Sequence, residues 1–299
     1  MLPGWREIAD WLDEPVSVLR LEIVRVFAPL AILGFMSGRL AHADTWLGDA
    51  GFRVPDLGGD WRQPLYLPAL PVNVAWGVAA VMVFSGLACA LGWRTRASAL
   101  VFASTLAFVA LSDRLAAFTV SKLSPVIILA LAAAPAGRRL GVDAWRGRGA
   151  ADPEKTSSLG AVRFFQLLLI TIYSASGIAK MRGDWLSTPL VLWSHLHDSY
   201  QTPIAFALAS TLPGWTWNLS QGLVLAFEVL APLWFALPKT RGPALIFGVG
   251  MHAMIGLMFG PVVWFALLMM TLLVAGYLPD RFLAPLDVLA TRIERAWPG

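Results

Sequence analysis

Only one cysteine, Cys89, occurs in the 299 residues, and it lies in an apolar run. That excludes an intrachain disulfide and any cysteine-based zinc or iron–sulfur site. Histidine is scarce as well, with four in the chain. Two of them stand in His195-x-His197-Asp198. On a helix those two rings would point about 200° apart, so they cannot share a metal, and no metal centre is expected. Charged residues make up 14% of the chain, well under the roughly 25% of a soluble domain. Gly-rich phosphate loops, nucleophile elbows and Ser-His-Asp orders are missing. The first residues lack the basic start, short apolar core and small-residue cleavage site of a signal peptide, and are not read as one.

What the chain has instead is apolar length. Hydrophobic residues make up 57% of it, and the mean hydropathy is +0.65. A helical membrane span needs about 20 mostly apolar residues. Such runs read as about eight spans, at 20–40, 71–92, 97–117, 120–137, 162–181, 218–237, 243–260 and 262–279. The fold class is therefore all-α, a polytopic helical membrane bundle in a single domain over 1–299, with the lipid bilayer as its partner. The net charge of +4 could suggest nucleic acid. The basic residues fall in short loops between spans rather than on one soluble face, so no nucleic-acid partner is expected.

Basic-residue placement sets the orientation. With the N-terminus inside, fifteen Lys and Arg face the cytoplasm, including Arg94, Arg96, Arg138, Arg139, Arg146, Arg148, Lys239 and Arg241. Seven face out: Arg39, Arg53, Arg62, Arg114, Lys122, Lys180 and Arg182. Cytoplasmic loops carry the excess. The expectation is a multi-pass protein of the cell membrane with both termini cytoplasmic.

Four segments lie outside the spans. Residues 1–19 carry Trp5, Ile8, Trp11 and Leu12 at helical spacing, as in an amphipathic helix on the membrane surface. The outer loop at 41–70 is rich in Gly, Pro and Asp, with Trp46, Trp61 and Tyr66 to order it. Residues 138–161 form a cytoplasmic linker between two four-span halves. The outer segment 186–217 opens with Thr188-Pro189, an N-cap and a first-turn proline. Leu190, Trp193 and Leu196 follow at i, i+3 and i+6, and Pro203 limits continuation. This reads as a re-entrant or interfacial helix across the outer mouth.

Ionisable side chains within the bilayer are costly and point to function. Arg25, Asp113, Arg114, Lys180, Glu228 and His252 are of this kind. Glu228 and His252 fall mid-span in consecutive helices, so a Glu228–His252 hydrogen bond is expected, with Arg25 as a further partner. That group either glues helices together or serves a substrate or proton path. Lys180 also has two readings. A lysine at a helix end snorkels to the headgroups. However, Tyr173, Ser176, Gly177 and Lys180 share one small, polar helix face, and Asp184 is close enough to pair with Lys180. A lysine kept partly from water gives up its proton more easily and can act as a general base.

At this point a resemblance appears. Gly177-x-x-Lys180-x-x-x-Asp184-Trp185, behind an apolar run with Tyr173, is similar to the signature of the vitamin K-dependent γ-carboxylase and its bacterial HTTM-domain relatives. Gly92-Trp93-Arg94-Thr95-Arg96 and Gly141-Val142-Asp143 resemble further family motifs. So do Glu228-Val-Leu-Ala-Pro232, Lys239-Thr240-Arg241, and His252 followed by Phe259. The resemblance spans about 18–280. It implies a lysine, here Lys180, that deprotonates a reduced quinone at the non-cytoplasmic face, leading to quinol epoxidation and carboxylation of a peptidyl glutamate. Catalytic candidates are then Lys180, His252 and Glu228. Binding candidates are Tyr173, Ser176, Gly177, Asp184, Trp185, Arg25, Lys122, His195 and His197. The carboxylase's Asn-His pair has no match in Phe118-Thr119-Val120-Ser121-Lys122, and Ala179 replaces the first of its two lysines. Its large soluble domain has no counterpart in these residues.

The reading is a membrane enzyme using a quinol or other apolar co-substrate, with a secreted peptide or protein as candidate substrate. The alternative is a non-catalytic module binding lipid, quinone or peptide, as maturation or immunity partner of a secreted peptide. A transporter would show paired discontinuous helices in the two halves. Here Pro125 and Pro135 interrupt only the fourth span.

Overall fold

The computed structural model describes residues 14–51, 69–112, 119–146, 156–158, 160–197 and 200–296, with isolated positions at 5, 6, 10, 12 and 67. Most of the expected surface helix at 3–13, residues 52–66 of the first outer loop, Asp113, Arg114 and Asp198 lie outside them. The described chain is mostly helical, and among the described residues it has two three-residue strands, β1 (Pro15–Ser17) and β2 (Thr156–Ser158), paired antiparallel with Pro15 opposite Ser158. It divides into two compact units, one of residues 1–161 and 285–299 and one of residues 162–284.

The first unit is built on α1 (Leu19–Leu40), α2 (Val72–Leu91), α3 (Thr95–Ser112) and α4 (Thr119–Ala133). Helix α1 packs on α2 and α4, and α3 packs on α2 and α4. The fully buried Arg25 of α1 organises their ends. Its Nε donates to Glu22 Oε2 at 2.7 Å, Nη1 to the carbonyls of Cys89 and Ala90, and Nη2 to the Leu140 carbonyl at 3.1 Å. Glu22 Oε1 accepts the backbone N–H groups of Gly137 and Arg139. The last carbonyls of a helix have no partner within it, and Arg25 supplies one for α2. Gly92 ends α2 at φ +71°, and a Cβ there would stand 2.5 Å from Gly141 Cα and 2.8 Å from Arg25 Nη1, so only glycine fits. Asp143 then caps α3, its Oδ2 accepting Thr95 N–H at 3.2 Å, while Asp143 N–H donates to Gly92. Two motifs read separately in the sequence are thus one contact. Arg25, expected beside Glu228 and His252, is bonded to these first-unit groups instead.

The second unit comprises α5 (Gly160–Arg182), α6 (Val191–His195), α7 (Pro203–Thr211), α8 (Gly214–Val229), α9 (Ala231–Ala236), α10 (Pro238–Met258) and α11 (Val263–Tyr277). A 3₁₀ turn at Gly260–Val262 leads into α11. A last helix, α12 (Asp280–Ala296), follows. Gln166 Nε2 donates to the Gly276 carbonyl and Tyr277 Oη to the Gln166 carbonyl, which fastens α5 to α11.

Among the described residues, five helices are long and apolar enough to cross a membrane: α2, α3, α5, α10 and Gly260–Tyr277. The chain is a membrane protein on that ground. The other expected spans differ for physical reasons. Helix α1 is 22 residues long but carries Arg20, Glu22, Arg25 and Arg39. Helix α4 has only 15 residues. The expected span 218–237 is interrupted at Leu230 between α8 and α9, where Pro232 has no N–H to continue the ladder.

The outer segment also departs from the expectation. Thr188-Pro189 starts no helix. Helix α6 begins after Leu190, which sits at φ 63° and gives no side-chain cap. The N-cap-and-proline pattern is realised instead by Thr202-Pro203, where Thr202 Oγ1 accepts Ala205 N–H at 3.1 Å. Pro203 opens a helix rather than limiting one.

Candidate functional site

Helix α5 carries Tyr173, Gly177 and Lys180 down one face. Gly177 is buried because α8 passes against it: a Cβ at Gly177 would stand 2.8 Å from Val229 N and 3.1 Å from the Glu228 carbonyl carbon. That approach brings the next turn of α5 onto Glu228. Lys180 Nζ donates to Glu228 Oε1 at 2.5 Å, with the two side chains 22% and 7% exposed. The same ammonium lies 4.6 Å from the centre of the Trp185 ring, in cation–π range. Lys180 does not extend toward headgroups as a snorkelling anchor would. It is turned into the bundle, between a carboxylate and an indole.

Deeper along the face, Tyr173 Oη and His252 Nε2 are hydrogen-bonded at 2.8 Å, both buried. Aromatic rings surround this pair: Tyr173 meets Phe227 edge-on at 5.1 Å, and His252 meets Phe265 at 5.6 Å. Phe235 stacks between Tyr173 and Tyr277. Three polar atoms here are buried and have no partner among the described residues: Glu228 Oε2, His252 Nδ1 and Ser174 Oγ. Such groups are costly to leave unmade.

The turn carrying Trp185 is held from α8. Gln221 Nε2 donates to the carbonyls of Trp185 (2.7 Å) and Thr188 (3.2 Å), and its Oε1 accepts Leu192 N–H. Asn218 Oδ1 accepts Leu190 N–H at 2.8 Å. Beyond them, Leu196, Ala205, Trp217 and Met258 form a small apolar core, with Trp193 and Phe259 packed against it. Gln221 and Glu228 are seven residues apart, on one face of α8. Sequence reasoning passed over Gln221, although its spacing from Glu228 was the available signal.

The expected pairings are therefore corrected. Glu228 does not bond His252: the carboxylate takes Lys180, and the imidazole takes Tyr173. Lys180 pairs with Glu228 rather than with Asp184, which is exposed in the turn, its carbonyl accepting the N–H groups of Ser187 and Thr188. Ser176 is half-buried on α5, and Lys122 is exposed on α4 of the first unit. His195 and His197 are each turned back onto the carbonyl four residues earlier, at Val191 and Trp193. The structure brings together Tyr173, Gly177, Lys180, Trp185, Glu228 and His252. Lys239-Thr240-Arg241 stands apart from them in role, since Thr240 Oγ1 and Arg241 Nε donate to the carbonyls of Trp234 and Phe235 at the end of α9.

The family model described as HTTM domain matches residues 11–276. Neither the curated proteins nor the solved structures yield a match.

Proposed function

The chain belongs to the HTTM-domain family, and from that premise we propose that it is a membrane enzyme in which Lys180 is the base toward an apolar, hydroxylated co-substrate. The observation carrying this reading is the inward set of Lys180, salt-bridged to Glu228 and lying under Trp185. Lys180 Nζ is the group placed to take a proton from a hydroxyl of that co-substrate, with the Glu228 carboxylate bonded to it and the Trp185 ring beside it to favour the ammonium form.

A reduced quinone fits the residues present. Its rings would meet Phe227, Phe235 and Phe265, and its hydroxyls suit the unpartnered Glu228 Oε2 and His252 Nδ1. When bound, such a molecule supplies the reducing electrons for oxygen chemistry. The protein's part is to orient it, exclude water and accept its proton at Lys180 Nζ.

The test is oxygen uptake with an added reduced menaquinone in membranes bearing wild-type protein or Lys180→Ala. Wild-type rates in the variant would end the base assignment. A mass-spectrometric search for γ-carboxyglutamate in secreted peptides decides separately whether carboxylation follows.

The second reading, a non-catalytic module that binds lipid, quinone or peptide, draws on the pairing of Lys180 with Glu228 and of Tyr173 with His252. These two contacts tie α5 to α8 and α10, as interhelical polar glue does in membranes. Under it, Lys180 can be replaced without chemical consequence provided the bundle holds.

A further inference from the structure

Helix α12 has three faces, and only one is explained by protein packing. Leu283 and Ala290 are buried, and Arg139 pairs with Asp287. Phe282, Leu286 and Leu289 are 53%, 44% and 53% exposed. At 3.6 residues per turn these three fall within about 60° of one another, while Leu283, Asp287 and Ala290 lie about 80–140° to one side of Phe282. Arg281 and Arg292, both exposed, lie about 80–100° to the other side. The Arg281 guanidinium sits 4.8 Å from the Phe282 ring centre, so its charge flanks the apolar stripe. An apolar stripe bordered by arginine is the pattern of a helix lying in a membrane interface.

Position in the chain selects the occupant. Helix α11 ends the last candidate span at Tyr277, and α12 begins at Asp280 after Leu278-Pro279. The helix therefore starts at the bilayer surface, within reach of the headgroups of that leaflet. We infer that α12 is an interfacial helix that seats Phe282, Leu286 and Leu289 among the acyl chains and holds anionic phospholipid headgroups with Arg281 and Arg292. Basic side chains near an anionic leaflet strengthen such seating. Helix α12 is thus a lipid-reading element of the fold.

The test uses the full chain in nanodiscs, with Cys89→Ala as background and Leu289→Cys carrying a bimane label. The discs are phosphatidylcholine alone or an equal mixture with phosphatidylglycerol. Lipid with a nitroxide high on the acyl chain should quench the label, and aqueous iodide should not. Arg281→Gln with Arg292→Gln should weaken seating in the anionic discs, by about fivefold per arginine removed, and leave it unchanged in phosphatidylcholine. Strong iodide quenching without nitroxide quenching would overturn the inference. If the double variant behaves like its parent in the anionic discs, headgroup recognition is overturned while apolar seating stands. A label at Val288→Cys, on the arginine side of the stripe, checks that an unseated position of the same folded helix reports iodide.

Discussion

Gly177 stands against the backbone of Val229, where an added Cβ would come within 2.8 Å of the amide nitrogen. One turn later on α5 Lys180 meets Glu228, the residue before Val229. The absent side chain at 177 and the ion pair at 180 are therefore one arrangement. Gly177→Ala should gain helix propensity of about 0.5–1 kcal/mol. The clash is with backbone, which cannot rotate away, and overpacking costs about 1–3 kcal/mol. The clash wins. Thermal stability in detergent should fall, and the α5–α8 separation should rise by pulsed dipolar spectroscopy between labels on the two helices.

Removing one partner of the ion pair leaves the other charge poorly compensated. Glu228 is almost wholly buried and Lys180 is 22% exposed, so Lys180→Ala should destabilise by about 3 kcal/mol. The charge swap Lys180→Glu with Glu228→Lys should recover most of that loss. It moves the amine to α8, so quinol-dependent oxygen uptake should stay absent if Lys180 is the base. Full activity in the swap would leave the pair with a fastening role only.

Tyr173 and His252 satisfy each other in an apolar surround. Tyr173→Phe strands His252 Nε2 and should cost about 1–3 kcal/mol, as should His252→Phe for the Tyr173 hydroxyl. The double replacement strands neither, so the double-mutant cycle should be strongly non-additive. Additive losses in thermal denaturation would mean that the hydrogen bond carries no coupling.

Gln221 acts through Trp185. Gln221→Leu keeps the bulk but drops two donated bonds and one accepted bond in the turn. Proteolytic cleavage at 186–190 should accelerate while global unfolding moves little. An unchanged cleavage rate would remove Gln221 from the positioning of the turn.

Helical class, membrane character and the polar face of α5 were legible because they rest on local periodicity and apolar length. The pairings were not. Glu228 and His252 sit mid-span in consecutive helices, and nothing in one dimension says that α5 supplies the partner of each. Gly177 was noted for its place in a motif, while its physical reason, the approach to Val229, exists only in three dimensions. Thr188-Pro189 and Thr202-Pro203 offer the same start signal. Asn218 and Gln221 hold the backbone of 185–192, and the helix begins at the second proline instead. Leu230-Ala231-Pro232 reads as apolar continuity at the level of hydropathy, yet the proline ends the ladder there.

The Arg25 clasp bears on how the chain is made. Arg25 is the seventh of 22 residues of α1, and an arginine inside a nascent helix resists partition from the translocon into lipid by up to roughly 2.5–3.5 kcal/mol, the value at the helix centre. Glu22 emerges beside it, but its carbonyl acceptors lie 64, 65 and 115 residues downstream, at Cys89, Ala90 and Leu140. Helix α1 therefore completes its lateral release only after α2 and the turn following α4 have left the ribosome. Helix α1 is synthesised before the acceptors it needs and is among the last in its unit to settle, and ribosome-bound intermediates truncated before Leu140 should still crosslink α1 to the insertion machinery.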